Sequence, residues 1–264
     1  MATSITTTYA GEFAGKYISA ALLSADTIEG GGITVKPNVK FKEVMKTLST
    51  NALVKDAACD FADQSTVTLA ERVLQPEEFQ VNLELCKKDF HNDWEAIQMG
   101  YSAFDSLPPS FADFLIGHIA AKVAQKTEEN IWQGATANAG EFNGFEALLA
   151  ADATVVDVTG TTVSAANVIT ELGKVVDAIS TAVYGKEDLY IYVASNVARA
   201  YIRALGGFGA SGLGANGVNN EGTTWFNGGD LAFDGVKLFV CSGLSDNTMV
   251  AAQKSNLFFG IGLL

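Results

Sequence analysis

The chain has 264 residues, of which 48% are hydrophobic and 18% are charged, so it carries too little charge for a disordered protein. Its 17 Lys and Arg residues against 30 Asp and Glu residues give a net charge of −13. This balance argues against a protein that grips nucleic acid, because phosphate binding needs clustered Lys and Arg. We expect one large or two modest domains whose close contacts come from shape and apolar surface.

The sequence gives no sign of export or membrane insertion. The start, MATSITTTYAG, lacks the basic region and apolar core of a signal peptide. No uncharged apolar run approaches the length of a membrane span. The three cysteines, Cys59, Cys86 and Cys241, are odd in number and widely spaced. We therefore expect a soluble, unexported, reduced protein in which they are small buried thiols, not disulfides or metal ligands.

Residues 1–36 are predicted to form an arm. A Ser/Thr-rich start leads into EFAGKYISAALLSADTIEGGG, a short amphipathic stretch closed by three glycines. A helix this short is marginal in isolation, so we expect the arm to lie against another surface.

Two strands are predicted next, and we expect them to pair as a long hairpin. The first is STVTLAERV, which is rich in β-branched residues, and the linker LQPEE carries Pro76 at a position that suits a turn. The second is EEFQVNLELC, in which polar residues alternate with Phe79, Val81, Leu83 and Leu85. A hairpin with this much polar surface needs neighbours to lie on.

The strongest helical pattern covers residues 109–133. Pro108 and Pro109 fit a first helical turn, apolar residues recur near helical spacing, and Gly134 ends the pattern. A helix of about two dozen residues would be over 30 Å long. His118 lies on it among isoleucines and is expected to be a core histidine, not a catalytic base.

The second half of the chain alternates between helix and strand. VSAANVITELGKVVDAISTAVYG is predicted to be a helix with Ser164 as its N-cap and Gly185 as its C-cap. DLYIYVA is a predicted strand, and a second helix follows from Ser195 to Leu205. VKLFVCS, NTMVAAQ and NLFFG are further predicted strands, so this half is an α/β unit with its own sheet.

A glycine-rich run, RALGGFGASGLGANG, matches the G-x-G-x-x-G pattern from Gly207 to Gly212. A dinucleotide fingerprint needs a strand before the first glycine and a helix after the last. Here a predicted helix precedes the run, a loop follows it, and no Lys or Arg lies between Arg203 and Lys237. We interpret Gly206 and Gly207 as a helix end. A nucleotide-binding α/β oxidoreductase remains a remote alternative, which thermal stabilisation by NAD or NADP would support.

The inventory of catalytic groups is thin. His91 with Asp89, Asp93 and Glu95 resembles a metal cluster, but no second ligand group of defined spacing accompanies it, so a solvated helix face is favoured. Ser211 lacks the G-x-S-x-G elbow. We predict no catalytic, cofactor-binding or metal-binding residue, no cofactor, and no enzymatic activity.

The order of the predicted elements resembles the major capsid proteins of tailed bacteriophages, whose fold is named after the phage Hong Kong 97. The amino-acid sequence also resembles, over nearly the whole chain, capsid proteins of phages that infect gut or marine bacteria. The segments that carry this resemblance are ERVLQPEEFQVNLELCKKDFHNDWEAIQMG, LPPSFADFLIGHIAAKVAQKTEENIW, NVARAYIRALGGFG and NTMVAAQKSNLFFGIGLL. The resemblance implies an α+β capsid fold with four parts. These are an N-terminal arm (1–36), an extended hairpin loop (53–85), a peripheral domain (37–52 and 86–142) with a spine helix (109–133), and an α/β axial domain (143–264).

The resemblance implies a structural subunit that self-assembles into the hexamers and pentamers of an icosahedral head around double-stranded DNA. It would be assembled in the host bacterial cytoplasm and reside in the virion, without a membrane partner. Its expected partners are copies of itself, then portal, scaffolding and decoration proteins, with only weak non-specific contact to DNA. The candidate assembly residues are Phe79, Val81, Leu83 and Leu85 of the hairpin, and Gly206, Gly207, Gly209 and Gly212, where copies would crowd near a symmetry axis.

An encapsulin-type nanocompartment shell is the alternative within the same fold, and a cargo-docking pocket formed by the arm helix would distinguish it. Relatives continue with further strands after the segment that matches SNLFFGIGLL, so residues are expected to be missing after Leu264. Some relatives also cross-link subunits through Lys–Asn isopeptide bonds. Lys55 is the one hairpin lysine to nominate for that chemistry, and we do not predict it.

Overall fold

The computed structural model describes residues 25–51, 54, 56–57, 59, 66–84, 109–205 and 231–262, with the side chains of residues 109–114 left out. Chain contacts divide the protein into two compact units. One unit comprises residues 1–34 and 79–258, and the other comprises residues 35–78 and 259–264.

The described residues form five α-helices and eight strands. The helices are Asp26–Glu29 (α1), Pro109–Gln133 (α2), Phe145–Ala151 (α3), Val168–Asp177 (α4) and Ser195–Leu205 (α5). The strands are Thr34–Lys36 (β1), Glu43–Asn51 (β2), Thr66–Leu74 (β3), Leu189–Ala194 (β4), Ala232–Phe233 (β5), Val236–Cys241 (β6), Met249–Gln253 (β7) and Phe258–Gly260 (β8). A mixed α and β content agrees with the predicted class, and none of the described helices is long and apolar enough to cross a membrane.

The larger unit is built on a four-stranded sheet in the order β5-β6-β4-β7. Strand β4 is central, parallel to β6 and antiparallel to β7. Its sequence LYIYVA is buried almost throughout, as expected for a strand covered on both faces. Helices α4 and α5 pack on this sheet. In α4 the buried residues Val168, Leu172 and Val176 recur every four positions, which gives the helix one apolar stripe.

The carboxyl end of α2 contributes the largest side chain of the core. Trp132 is fully buried, and its ring centroid lies 5.3 Å from that of Tyr192 in β4 and 5.5 Å from that of Phe145 in α3. The ring centroid of Tyr192 in turn lies 5.7 Å from that of Phe239 in β6. This aromatic cluster places the end of the long helix and the sheet in one core.

The segment from Ala25 to Ile33 packs on its own chain. Ala25, Thr27 and Ile33 are buried, and the Thr27 N–H and hydroxyl both donate hydrogen bonds to the carboxyl group of Glu128. The predicted arm therefore does not depend on neighbouring molecules over this segment. Residues 1–24 of that arm lie outside the described residues.

The smaller unit contains a two-stranded antiparallel ribbon of β2 and β3, with Glu43 opposite Leu74 and Asn51 opposite Thr66. The prediction that β3 pairs with a strand over residues 79–85 was wrong. Residues 79–84 have no regular secondary structure, and Leu85 lies outside the described residues. Alternation makes a segment compatible with a strand, but the partner is selected by non-local packing, and here β2 supplies it.

Three smaller expectations were also wrong. Helix α4 begins at Val168, not after Ser164, because the Ser164 N–H and hydroxyl donate to the side-chain oxygen of Asn167 and close a turn before the helix. The helix ends at Asp177, well before Gly185, whose φ of 85° belongs to a later turn. His118 is exposed, so it is not a core histidine.

Candidate functional site

One face of the β2–β3 ribbon is largely apolar and exposed. Cross-strand pairing puts Val44 opposite Val73 and Leu48 opposite Leu69, and side chains two positions apart share a face. We call this surface the ribbon face and define it by five residues that are 46–66% exposed: Val44, Leu48, Val67, Leu69 and Val73. Nine residues per strand make the ribbon about 30 Å long.

The ribbon face has one charged pair in its middle. Lys46 lies opposite Glu71, and the Lys46 Nζ atom is 3.8 Å from a Glu71 carboxyl oxygen. Both side chains are well exposed, so the pair contributes little to stability. It does fix opposite charges at a known place between the two apolar pairs.

The opposite face of the ribbon is polar over most of its length. It carries Thr47, Ser49, Thr66 and Thr68, all exposed, and the Thr47 hydroxyl donates to the Ala70 carbonyl at 3.3 Å. One apolar face and one polar face are typical of antiparallel strands that are covered on a single side. A two-stranded ribbon is at best marginally stable in water, so covering the apolar face would stabilise it.

The sequence pointed to a different set of assembly residues. Phe79, Val81 and Leu83 are exposed, in a segment without regular secondary structure. Leu85 and the glycines Gly206, Gly207, Gly209 and Gly212 lie outside the described residues, as do the candidate metal residues Asp89, His91, Asp93 and Glu95. Val67, Leu69 and Val73 lie in the predicted strand STVTLAERV, whereas Val44 and Leu48 were missed because the alternation in β2 was not recognised. The pattern E-V-M-K-T-L carried that signal.

The described residues include no group of three His, Cys, Asp or Glu side chains that could hold a metal ion. Cys241 is buried, and burial raises the pKa of its thiol far above the ordinary value, so the thiol stays protonated. Burial likewise raises the pKa of the Tyr192 hydroxyl. Cys59 is exposed, so the expectation of buried thiols was wrong for that residue.

The element that precedes the glycine-rich run is the helix that the sequence predicted. Helix α5 ends at Leu205, directly before Gly206. This is the reverse of the strand-then-glycine order that a dinucleotide fingerprint requires. Residues 206–230, which follow, lie outside the described part of the chain.

No family model, no curated protein and no solved structure matches this chain. The resemblance to phage capsid proteins therefore depends on the sequence segments quoted above and stays a prediction.

Proposed function

We propose that this protein is the structural subunit of a tailed-phage head, and that it assembles with copies of itself into the hexamers and pentamers of an icosahedral shell. The ribbon face is the observation that carries the proposal. Five exposed Val and Leu side chains on one side of a marginal ribbon favour burial against another molecule.

The energetics of such a contact are favourable. Fully burying one Val or Leu side chain contributes roughly 1.5–3 kcal/mol, so covering five half-exposed side chains contributes on the order of several kcal/mol. A single contact of this size is weak once the loss of translational freedom is subtracted. Many equivalent contacts made at the same time are stable together, and a closed shell provides such multivalency.

The acidic composition fits the same role. With a net charge of −13, copies repel one another at long range, so association depends on close apolar contact. An acidic protein also holds packaged double-stranded DNA only weakly, which suits a container that must fill and empty. Portal, scaffolding and decoration proteins, and residence in the virion, follow from the resemblance and are part of the proposal.

The test compares two double variants of the ribbon by negative-stain microscopy and sedimentation velocity. Leu48→Lys with Leu69→Lys places two charges on the ribbon face, at directly opposed positions. Ser49→Lys with Thr68→Lys places the same two charges on the polar face, also at opposed positions. We expect the unchanged chain and the Ser49/Thr68 variant to form capsomers or shells, and the Leu48/Leu69 variant to sediment as a monomer.

Three results would contradict the proposal. One is an unchanged chain that stays monomeric at high concentration, and another is equal assembly by both double variants. The third is a rise in melting temperature of the unchanged chain with NAD or NADP, which would favour the oxidoreductase. Circular dichroism of each variant shows whether the fold is retained.

A further inference from the structure

A cleft of about 830 Å³ runs along the outer edge of the four-stranded sheet. Among the described strands β7 is the last at that edge, and all five of its residues line the cleft. Most of the remaining lining comes from helices α3 and α4, from the residues that follow α4, and from residues 155–163, a segment without helix or strand. The cleft lies entirely within the larger unit.

The backbone of β7 presents free hydrogen-bonding groups to this cleft. Hydrogen bonds from Ala194 N to Thr248 O (3.2 Å) and from Lys254 N to Asp188 O (2.8 Å) fix which residues face β4. In an antiparallel pair, successive residues direct their backbone N–H and C=O groups alternately towards the partner strand and away from it. Val250 and Ala252 face β4 in this way, and the alternate residues of β7 face outward. Met249, Ala251 and Gln253 therefore direct their N–H and C=O groups outward, and no described residue hydrogen-bonds to them there.

The side chains of the cleft are apolar and acidic. Its apolar lining includes Val156, Val158, Val175, Ile179 and Met249. Among the described residues that line it, Glu146, Asp157 and Glu171 are charged and none is Lys or Arg. Glu171 is paired with Lys174 at 2.9 Å, whereas the Glu146 carboxylate accepts from the uncharged N–H and hydroxyl of Ser245. The cleft therefore retains negative charge beside an apolar wall.

We propose that this cleft binds an extended segment of another protein, in which basic and apolar residues alternate, as an added antiparallel or parallel strand on β7. The outward N–H and C=O groups of β7 would bind its main chain, as in other cases of strand addition. Side chains of an added strand alternate between two faces, so apolar residues would pack on the valine-rich wall while Lys or Arg residues lie near Asp157. Five residues of β7 give an edge of about 17 Å.

This inference is independent of the proposed shell. The cleft and the ribbon face belong to different units of the chain. A partner seated at β7 is compatible with an assembled or a monomeric protein, and each proposal can fail without the other.

The probe is a fluorescein-labelled peptide, Lys-Val-Lys-Val-Lys-Val-Lys, whose binding to the full chain is followed by fluorescence anisotropy. The comparison peptides carry Glu in place of Lys, or N-methyl groups at alternate residues. A further peptide copies residues 39–45 of this chain, VKFKEVM, which also alternates Lys with apolar residues. It tests a second copy as the occupant.

Two protein variants, each with a control variant, test whether the peptide binds at β7 and in the cleft. Ala251→Pro removes an outward N–H without removing a hydrogen bond to β4, and Ala251→Ser keeps that donor as its control. Asp157→Lys reverses a charge in the cleft, and Asp177→Lys makes the same change in net charge at an exposed residue outside the lining. Melting curves verify that each variant is folded.

We expect saturable binding of the Lys-Val peptide that weakens at least tenfold with Ala251→Pro and severalfold with Asp157→Lys. Ala251→Ser and Asp177→Lys should leave it unchanged, and the Glu and N-methyl peptides should bind at least tenfold more weakly. The proposal would be overturned if the Lys-Val peptide showed no saturable binding, or if neither Ala251→Pro nor Asp157→Lys changed its affinity. Tighter binding of the peptide from residues 39–45 would overturn the assignment to another protein.

Discussion

At the scale of single residues, one buried hydroxyl group joins the Ala25–Ile33 segment to the core. The Thr27 hydroxyl donates to a Glu128 carboxyl oxygen at 2.5 Å and accepts from the indole N–H of Trp132 at 2.9 Å. All three residues are buried. Buried polar groups lose their water on folding, so Glu128 Oε1 and Trp132 Nε1 both depend on this oxygen for a hydrogen bond.

Thr27→Val keeps the shape of the side chain and removes that oxygen. Glu128 Oε1 and Trp132 Nε1 then lose their partners, and each unsatisfied buried group costs about 1–3 kcal/mol, so the free energy of unfolding should fall by about 2–5 kcal/mol. Chemical denaturation measures this. Thr136→Val, at an exposed threonine bonded to Asn143, is the control, with an expected change within about 0.5 kcal/mol. Equal effects of the two variants would contradict the prediction.

A second residue-scale prediction concerns pH. Hydrogen bonds from the Lys126 ammonium group (2.7 Å), then from Asn138 and the Ala135 N–H, lower the pKa of Glu141 from 4.5 to about 2. A carboxyl whose pKa is lower in the folded protein stabilises the fold above its unfolded pKa. That contribution is lost as the pH falls through the folded pKa.

The stability advantage of the unchanged protein over Glu141→Gln should therefore be complete at pH 7 and shrink as the pH falls from about 4.5 towards 2. Melting temperatures at pH 7, 5, 4 and 3 measure it. Glu129→Gln, at an exposed partner of the same lysine, leaves the hydrogen bonds to Glu141 in place and should follow the unchanged protein. A constant difference between the unchanged protein and Glu141→Gln across this range would contradict the assignment.

At the scale of elements, the loop after β6 lies against α2 without space for a side chain. A Cβ atom built on Gly243 would lie 2.1 Å from the Glu128 carbonyl oxygen, and the Gln133 side chain donates to the Gly243 carbonyl at 2.6 Å. The long helix is thus held to the sheet by a direct approach of two backbones. Glycine is the residue that permits this approach.

Two glycine-to-alanine variants should move stability in opposite directions. Gly243→Ala forces the loop away from α2 and should lower the free energy of unfolding by about 1–3 kcal/mol or more. Gly173→Ala adds a methyl group inside α4 with no atom within 4 Å, and should raise it by about 0.5–1 kcal/mol. Chemical denaturation of both variants is the measurement. A neutral Gly243→Ala would show that the loop is not held against the helix in solution.

At the scale of the whole molecule, net charge and exposed apolar surface have opposite effects on the association of copies. Every copy carries a charge of −13, so copies repel at distances longer than a contact. The ribbon face favours contact at short range. Which effect dominates depends on ionic strength, since the screening length falls from about 10 Å at 0.1 M salt to about 3 Å at 1 M.

Self-association should therefore increase between 0.1 M and 1 M NaCl, and light scattering at fixed protein concentration measures the change. The Leu48→Lys and Leu69→Lys double variant should show no such increase, because two charges replace two leucines of its ribbon face. Dissociation on adding salt would mean that ion pairs hold the copies together, and would contradict an apolar interface.

Much of the larger unit could be predicted from local signals. Helix α2 has the predicted bounds, and β4 and α5 follow from a short buried run and the serine that opens the next helix. The pairing of β3 with β2 could not be predicted, because a partner strand is chosen by contacts remote in sequence. The burial of Ala25, Thr27 and Ile33 could not be predicted for the same reason, since Thr27 and Glu128 are 101 positions apart.

The candidate site was predicted only in kind. An exposed apolar strand was expected, but at Phe79–Leu85, where the alternation is most regular. The ribbon face is made by register, which puts residues from two separate segments side by side. The assembly role of Phe79, Val81, Leu83 and the glycines stays a prediction.

The hydrogen bonds of Thr27 also determine where a force on the preceding chain would reach the core. Ala25 is buried and the Thr27 N–H donates to the Glu128 carboxyl group, so the chain is anchored to the core at this point. A pull on the chain ahead of Ala25 would be transmitted through the Thr27 hydroxyl to the indole of Trp132, at the end of the long helix.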